Sequence, residues 1–205
     1  MNIIYDIEQG SDDWLMLRLG KLTASKFADV ISKGRGKEPS KTRVSYMYQL
    51  AAEILVGEPT TFFKNAAMQW GTDCEPAARA AYEIKHDLDV VECAFIEHDE
   101  WVGVSPDGLV GIDGLLEIKA PNTTTHLKYY MAGTMPEEYL AQVQGQLWVS
   151  GRDWCDFVSY DPRVRSEADY FELRVNRDDE YIKNLEVQCS TFIDELKELL
   201  TKLGA

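Results

Sequence analysis

Apolar residues recur at three- and four-residue steps through roughly the first 85 positions, and from Val90 onward the period shortens toward two, so a helical third is followed by a strand-rich remainder. Asp12 to Leu19 and Thr23 to Ser32 are predicted as short helices. Ser40 is placed to cap a longer one through Leu55, whose Val44, Met47, Leu50, Ala51, Ile54 and Leu55 share a face, and Gly57-Glu58-Pro59 stops it. A further helix is predicted from about Asn65 to Lys85, with a restart or kink at Pro76. Val90 to Ile96, Trp101 to Ser105, Leu115 to Ala120, Cys155 to Tyr160 and Tyr170 to Val175 are predicted strands, rich in β-branched and aromatic residues. Glu137 to Val149 is predicted as a helix between them, and Asp178 to Leu203 as a long amphipathic C-terminal helix. There is no internal repeat, and the polar stretch Ser32 to Lys41 reads as a surface loop, so a single α/β domain over residues 1–205 is expected.

Within that pattern one segment carries chemistry. Ser105-Pro106-Asp107-Gly108 precedes Leu115-Leu116-Glu117-Ile118-Lys119-Ala120, with the turn-rich Gly111-Ile112-Asp113-Gly114 between them. On a strand Glu117 and Lys119 share one face while Leu116, Ile118 and Ala120 take the other. A hairpin folding at the turn sets Asp107 within about one residue of opposite Glu117, where facing Cβ atoms lie ~4.5 to 5.5 Å apart, close enough for both carboxylates to grip a hard cation. Such a pair beside an ammonium suits phosphodiester hydrolysis, which needs a deprotonated water and neutralisation of charge on the phosphate and the leaving oxygen. An ordinary turn aspartate with a solvated Glu117–Lys119 pair on an edge strand has the same letters. The apolar flanks argue instead for a buried strand, where such charges are costly unless paired or metal-bound.

Size and charge narrow the classes. At 205 residues and 45% hydrophobic the chain can bury a full core. No apolar run approaches the ~20 residues needed to cross a bilayer, and the first residues do not read as a signal peptide, so a cytoplasmic protein is expected. Cys74, Cys93, Cys155 and Cys189 are widely spaced without a C-x-x-C pair, which signals neither zinc nor an iron–sulfur cluster and leaves four reduced, mostly buried thiols. The net charge of −14 argues at first against a nucleic-acid partner. Between Arg18 and Arg43, however, eight basic residues meet two acids, so this segment carries +6 and the remainder −20. One basic face and an acidic outer surface are expected of a protein that admits DNA in one place only.

Several patterns fail. Gly34-Arg35-Gly36-Lys37 lacks the spacing and preceding strand of a phosphate-binding loop, Gly103 to Gly108 is not a nucleophile elbow, and His86, His98 and His126 show no paired spacing. Glu75, before Pro76, and Gln142, on the predicted helix from Glu137, are weak candidates for the same site as Asp107; taken alone, a first-turn glutamate is favourable to the helix dipole and a helical glutamine is ordinarily at the surface.

Taken in order, Glu8-Gln9-Gly10-Ser11-Asp12-Asp13-Trp14, Leu17-Arg18-Leu19-Gly20, Thr23-Ala24-Ser25, Trp70-Gly71, Glu75, Ser105-Pro106-Asp107-Gly108-Leu109, Glu117-Ile118-Lys119, Ala141-Gln142-Val143-Gln144 and Tyr160-Asp161-Pro162-Arg163 resemble the phage lambda exonuclease family of YqaJ-type viral recombinases. The resemblance implies a restriction-endonuclease-like core, a central mixed β-sheet flanked by helices, with a PD-(D/E)-x-K site. It further implies a ring-shaped homotrimer that degrades the 5′-ended strand of linear double-stranded DNA with two magnesium ions, leaving a 3′ overhang for a single-strand annealing protein, in a bacterial or phage-infected cell. Manganese accepts the same all-oxygen, octahedral ligand set. Carried over by residue, Asp107 and Glu117 bind metal with the Ile118 carbonyl, Lys119 acts on the water, and Glu75 and Gln142 complete the catalytic set. Arg18, Ser25 and Ser105 meet the 5′ phosphate or the strand near it, with Arg35 and Lys37 in the same basic segment. The family's phosphate-binding arginine after the Lys119 strand is here Thr125, which removes a bidentate cation; the Thr125 hydroxyl can still hydrogen-bond phosphate, and the neighbouring His126 is a candidate to contribute. An endonuclease or structure-specific nuclease of the same fold, or a non-catalytic DNA-binding protein, is the alternative; the latter would be expected to lack Asp107, Glu117 or Lys119.

Overall fold

A computed structural model of the chain describes residues 1–34, 36, 38–60 and 65–205. The strands are β1 (Asn2–Ile4), β2 (Leu22–Thr23), β3 (Val90–Val91), β4 (Phe95–Glu97), β5 (Val102–Val104), β6 (Gly108–Val110), β7 (Gly114–Lys119), β8 (Trp154–Tyr160) and β9 (Tyr170–Asn176). The helices are α1 (Asp12–Arg18), α2 (Phe27–Ile31), α3 (Lys41–Val56), α4 (Ala66–His86), α5 (Thr123–Ala132), α6 (Leu140–Ser150) and α7 (Asp179–Leu203).

The expected mixed α/β class is what forms, but the strands divide between two sheets, ordered β1-β4-β5-β2 and β3-β6-β7-β8-β9. The division falls where a single strand was expected from Val90 to Ile96: β3 pairs with β6 and β4 with β1 and β5, with the buried Cys93 and Ala94 between them. In the larger sheet β7 and β8 are parallel and the other pairs antiparallel. A parallel pair needs a crossover, and α5 and α6 supply it.

Side-chain alternation along β7 and β8 decides what each face meets. Leu116, Ile118 and Val158 join Ala78 and Tyr82 of α4 in one apolar cluster, whereas Leu115 and Cys155 belong to the main core with α6 and α7. Helix α6 packs against β4, β5 and β8, so it touches both sheets. It is buried almost all round, eight of its eleven residues being enclosed, Gln144, Gln146 and Ser150 among them. A Cβ on Gly145 would stand 2.1 Å from the Phe27 ring, so glycine is what lets α2 approach α6 this closely. Helix α7 closes the core with Ile182, Leu185, Cys189, Phe192, Ile193, Leu196 and Leu200 at helical spacing.

Capping explains the helix starts. Ser40, Asn65, Asn122 and Asp178 each accept a hydrogen bond from the backbone N–H three residues on. Pro76 does not break α4, which runs through it. The predicted helix from Thr23 begins as the end of β2 and a tight turn at Ala24–Lys26 before α2, and the one from Glu137 begins with a similar turn before α6.

Candidate active site

Strands β6 and β7 form the hairpin expected from the turn residues, with Gly108 opposite Leu116 and Val110 opposite Gly114. Continued by one residue, that register places Asp107 opposite Glu117. The Asp107 amide donates to the Leu116 carbonyl at 3.1 Å, and the Ile118 amide donates to Asp107 Oδ2 at 2.6 Å. The N–H and C=O of one strand residue face the same neighbour, so the Ile118 carbonyl also points toward the Asp107 side. Pro106, next in register, has no N–H to give it.

Glu117 is 1% exposed, yet neither carboxylate oxygen lacks a partner. Gln142 Nε2 donates to Oε1 at 2.6 Å, Gln146 Nε2 to Oε2 at 2.7 Å, and the Lys119 ammonium to Oε1. Gln146 was missed by sequence reasoning, although its position four residues after Gln142 puts both amides on one face of α6. It is fully buried, and among the described residues its Oε1 receives no hydrogen bond.

Helix α4 brings Glu75 to the same place. Arg79, one turn on, donates from Nη2 to Glu75 Oε1 at 2.6 Å and to the Asp107 carbonyl at 3.3 Å, tying the helix to the hairpin. Burial raises the Glu75 carboxyl, although Arg79 opposes the shift. Burial, then the charge of Glu117, hold the Asp107 carboxyl well above its ordinary range. For Lys119 burial pulls down, but Glu117 and Asp107 outweigh it, and the ammonium is favoured. Glu75, Asp107, Ile118 and Lys119 line a cavity of about 770 Å³ that also takes in Trp70 and Arg163. Its donor set is entirely hard oxygen, and the three carboxylates outnumber the cations beside them, so a divalent ion fits here chemically.

A different trio is closer together. Among the described residues, ligand atoms of His86, Asp156 and Glu172 are the ones that lie within 4.8 Å of one another. That cluster is already satisfied: Arg174 and the Tyr82 hydroxyl serve Asp156, while Lys85, His86 and the Tyr170 hydroxyl serve Glu172. It reads as a paired charge network rather than a metal centre.

The second cavity, about 430 Å³, lies on the smaller sheet's side and is lined by Arg18, Ser25 and Lys26, among others. Arg18 donates from Nη1 to Ser105 Oγ at 3.2 Å and from Nη2 to Thr23 Oγ1 at 3.3 Å, and stacks 4.1 Å from the centre of the Trp14 ring. Burial lowers its pKa to about 10, and among the described residues no carboxylate forms an ion pair with it. Ser105 itself donates to the Ala94 carbonyl and accepts from Trp14 Nε1. Met68 lines both cavities, so the two adjoin.

Other expected members fall elsewhere. Thr125, in the first turn of α5, lines neither cavity. His126 is fully buried, accepting from Ser159 Oγ at Nδ1 and donating from Nε2 to the Ala168 carbonyl, so it has no ring atom left for a phosphate. Arg35 and Lys37 lie outside the described residues. The basic face is also partly spent: Lys26 pairs with Asp29 and Arg43 with Glu195. All four cysteines are free and buried, as expected.

Comparison with known proteins places this geometry. The alkaline exonuclease LHK-Exo of Laribacter hongkongensis superposes with a TM-score of 0.87 at 43% identity, covering 94% of this chain and 96% of that one. Its complex with dAMP gives a TM-score of 0.88 at the same identity and coverage. A phage-related exonuclease from Haemophilus somnus 129PT shares the fold at a TM-score of 0.71 and 18% identity, over 90% of this chain and 96% of that one. An uncharacterized protein, R354, of Acanthamoeba polyphaga mimivirus is 27% identical over 173 residues, 76% of this chain; the match spans only 29% of the length of that relative. Residues 13–153 match the family model of the YqaJ-like viral recombinase domain. That match covers more than half of the sequence and includes Asp107, Glu117 and Lys119, and the chain therefore belongs to the family of YqaJ-like viral recombinase domains.

Proposed function

We propose that this chain is a magnesium-dependent exodeoxyribonuclease that digests linear double-stranded DNA from its 5′ ends. The observation that carries the proposal is the meeting of Asp107, Glu117 and Lys119 on one hairpin, with Asp107 and Lys119 in the wall of a cavity large enough for a nucleotide and Glu117 buried behind them. The exonuclease activity named for the 43% identical LHK-Exo supports it.

Asp107, Glu117 and the Ile118 carbonyl are the groups that would hold magnesium, with manganese as a substitute, and two such ions would supply Lewis-acid neutralisation of the attacking and leaving oxygens. The protein's own residues do the rest. Gln142 and Gln146 fix both oxygens of Glu117, so this ligand is set before substrate arrives. Lys119, kept protonated by its two acidic neighbours, orients the attacking water. Glu75, partly exposed and pushed toward its neutral form, is placed to take up a proton from that water.

The adjoining cavity supports the 5′ polarity that the family resemblance implies. Arg18 is a desolvated cation held by two hydroxyls and the Trp14 ring, with no carboxylate paired to it among the described residues, and an anionic 5′ end is the partner that would suit it. Ser25, exposed beside it, adds a hydroxyl donor, while Ser105 holds the guanidinium from behind. A ring-shaped homotrimer acting in a bacterial or phage-infected cell, whose 3′ overhangs pass to an annealing protein, completes the proposal and rests on the family resemblance. The test is a time course on linear duplex labelled at one 5′ or one 3′ end. Magnesium-dependent release of 5′ label as mononucleotide ahead of 3′ label is expected; early 3′ release would overturn the polarity.

A further inference from the structure

Arg163 stands in the turn after β8 and lines the same cavity as Asp107 and Lys119. Its Nε and Nη2 donate to the two carboxylate oxygens of Asp161 at 2.7 and 2.8 Å, and its guanidinium carbon lies 4.2 Å from the centre of the Trp70 ring. Asp161 is fully buried, while the Arg163 side chain is 49% exposed. The acid is thus withdrawn behind the guanidinium, which is clamped in plane by Asp161 and supported on one face by the indole. Among the described residues Nη1 has no acceptor, so its N–H groups are unspent. Among the described residues two cations, Lys119 and Arg163, line the cavity, and Lys119 is engaged by Glu117. A polyanion entering this acidic cavity needs a fixed donor, and Arg163 is the one not already committed to the reacting centre.

Among the described residues the same construction occurs once more, away from both cavities. Arg174 on β9 donates from Nε and Nη2 to the buried Asp156 at 2.8 Å each, lies 3.6 Å from the centre of the Trp154 ring and is 50% exposed. The two arginines differ in place rather than in build, so a purely structural role predicts equal consequences when either is replaced.

Resting on the nuclease reading of the cavity, we propose that Arg163, seated on Trp70, binds a backbone phosphate of the DNA strand beside the bond being cut. A single phosphate contact contributes about 0.9 to the slope of log K against log salt concentration for duplex, and about 0.7 for single strands. The test measures that slope for a linear duplex in EDTA, where no cleavage occurs, for the wild type, Arg163→Gln and Arg174→Gln. Arg163→Gln is expected to flatten the slope by about one contact. In magnesium it is expected to raise KM for DNA about tenfold with kcat nearly held. Arg174→Gln is expected to keep the wild-type slope and lose only melting temperature. If Arg163→Gln is unfolded at the assay temperature, the double variant Asp161→Asn/Arg163→Gln, which removes the buried charge as well, is judged by the same criterion. A wild-type slope in the Arg163 variant, or an equal flattening in both variants, overturns the assignment. A wild type that cuts no DNA overturns the nuclease reading instead, so the two failures are distinguishable.

Discussion

The two adjoining cavities carry opposite electrostatic misfits. In one, the Asp107 and Glu75 carboxyls are raised by burial and by one another's neighbours, leaving negative charge in excess. In the other, the Arg18 guanidinium is lowered to about 10 by burial, with hydroxyl partners and, among the described residues, no acid paired to it. On the proposed reading each misfit is answered by a ligand of the other sign: a divalent cation and a phosphate. The chain between them is short. Ser105 holds Arg18 while Asp107, two residues on, enters the acidic cavity, and Gln9 pins the intervening Pro106 carbonyl at 3.0 Å. The segment running from β5 of one sheet to β6 of the other thus sets the spacing between the two cavities, and on the proposed reading between end recognition and chemistry.

The largest effect is expected on the acidic side. Asp107→Ala or Lys119→Ala should lower turnover by at least about 10²- to 10⁴-fold, the range of a positioned acid–base group, with melting temperature near the wild type. Magnesium added to metal-free protein should raise the wild-type melting temperature and leave that of Asp107→Ala unmoved, as calorimetry can show. On the basic side, Arg18→Met should cut the preference for phosphorylated over dephosphorylated 5′ ends by about 10- to 100-fold, the loss of one or two hydrogen bonds to a charged group, while the magnesium-induced rise in melting temperature persists. Loss of both responses in Arg18→Met would mean the cavities are not separable.

Gln146→Leu sharpens the acidic side further. A ligand-supporting partner is worth about 10- to 100-fold in metal affinity or activity, read as the magnesium concentration for half-maximal rate. An unchanged requirement would make the amide a packing element. The smallest effect concerns a charge the protein does satisfy. Asp161 is lowered to about 2, chiefly by the Arg163 hydrogen bonds. A carboxyl depressed on folding adds stability above its unfolded pKa near 4, which is lost as pH falls toward 2. Asp161→Asn should therefore cost about 2 kcal/mol at pH 7 and nearly nothing at pH 2, read from paired melting curves.

What was legible in the sequence follows the range of the forces involved. The β6–β7 hairpin, the shared face of Glu117 and Lys119, the cap at Ser40 and the helix starts near Asn65 and Asp178 are local consequences of turn residues, strand alternation and side-chain oxygens, and they formed as read. The splitting of Val90 to Ile96 between two sheets was not legible, because strand propensity says nothing about which partner a strand will meet. Helix α5 was missed, because its apolar spacing is weak. At the site, Gln146 was available from its spacing to Gln142, yet an amide on a helix gains meaning only once Glu117 is known to lie against it. His126 was considered for phosphate and is instead consumed by Ser159 and Ala168, a long-range packing outcome that composition does not reveal.

The central claim, that the Asp107–Glu117–Lys119 hairpin cuts DNA at ends, is tested most directly by offering one plasmid both as a relaxed circle and linearised, in magnesium, to the wild type and to Lys119→Ala. The account predicts that the wild type consumes the linear form, spares the circle, and that Lys119→Ala consumes neither. Wild-type degradation of the circle at the rate of the linear form, or digestion by Lys119→Ala at the wild-type rate, would contradict it.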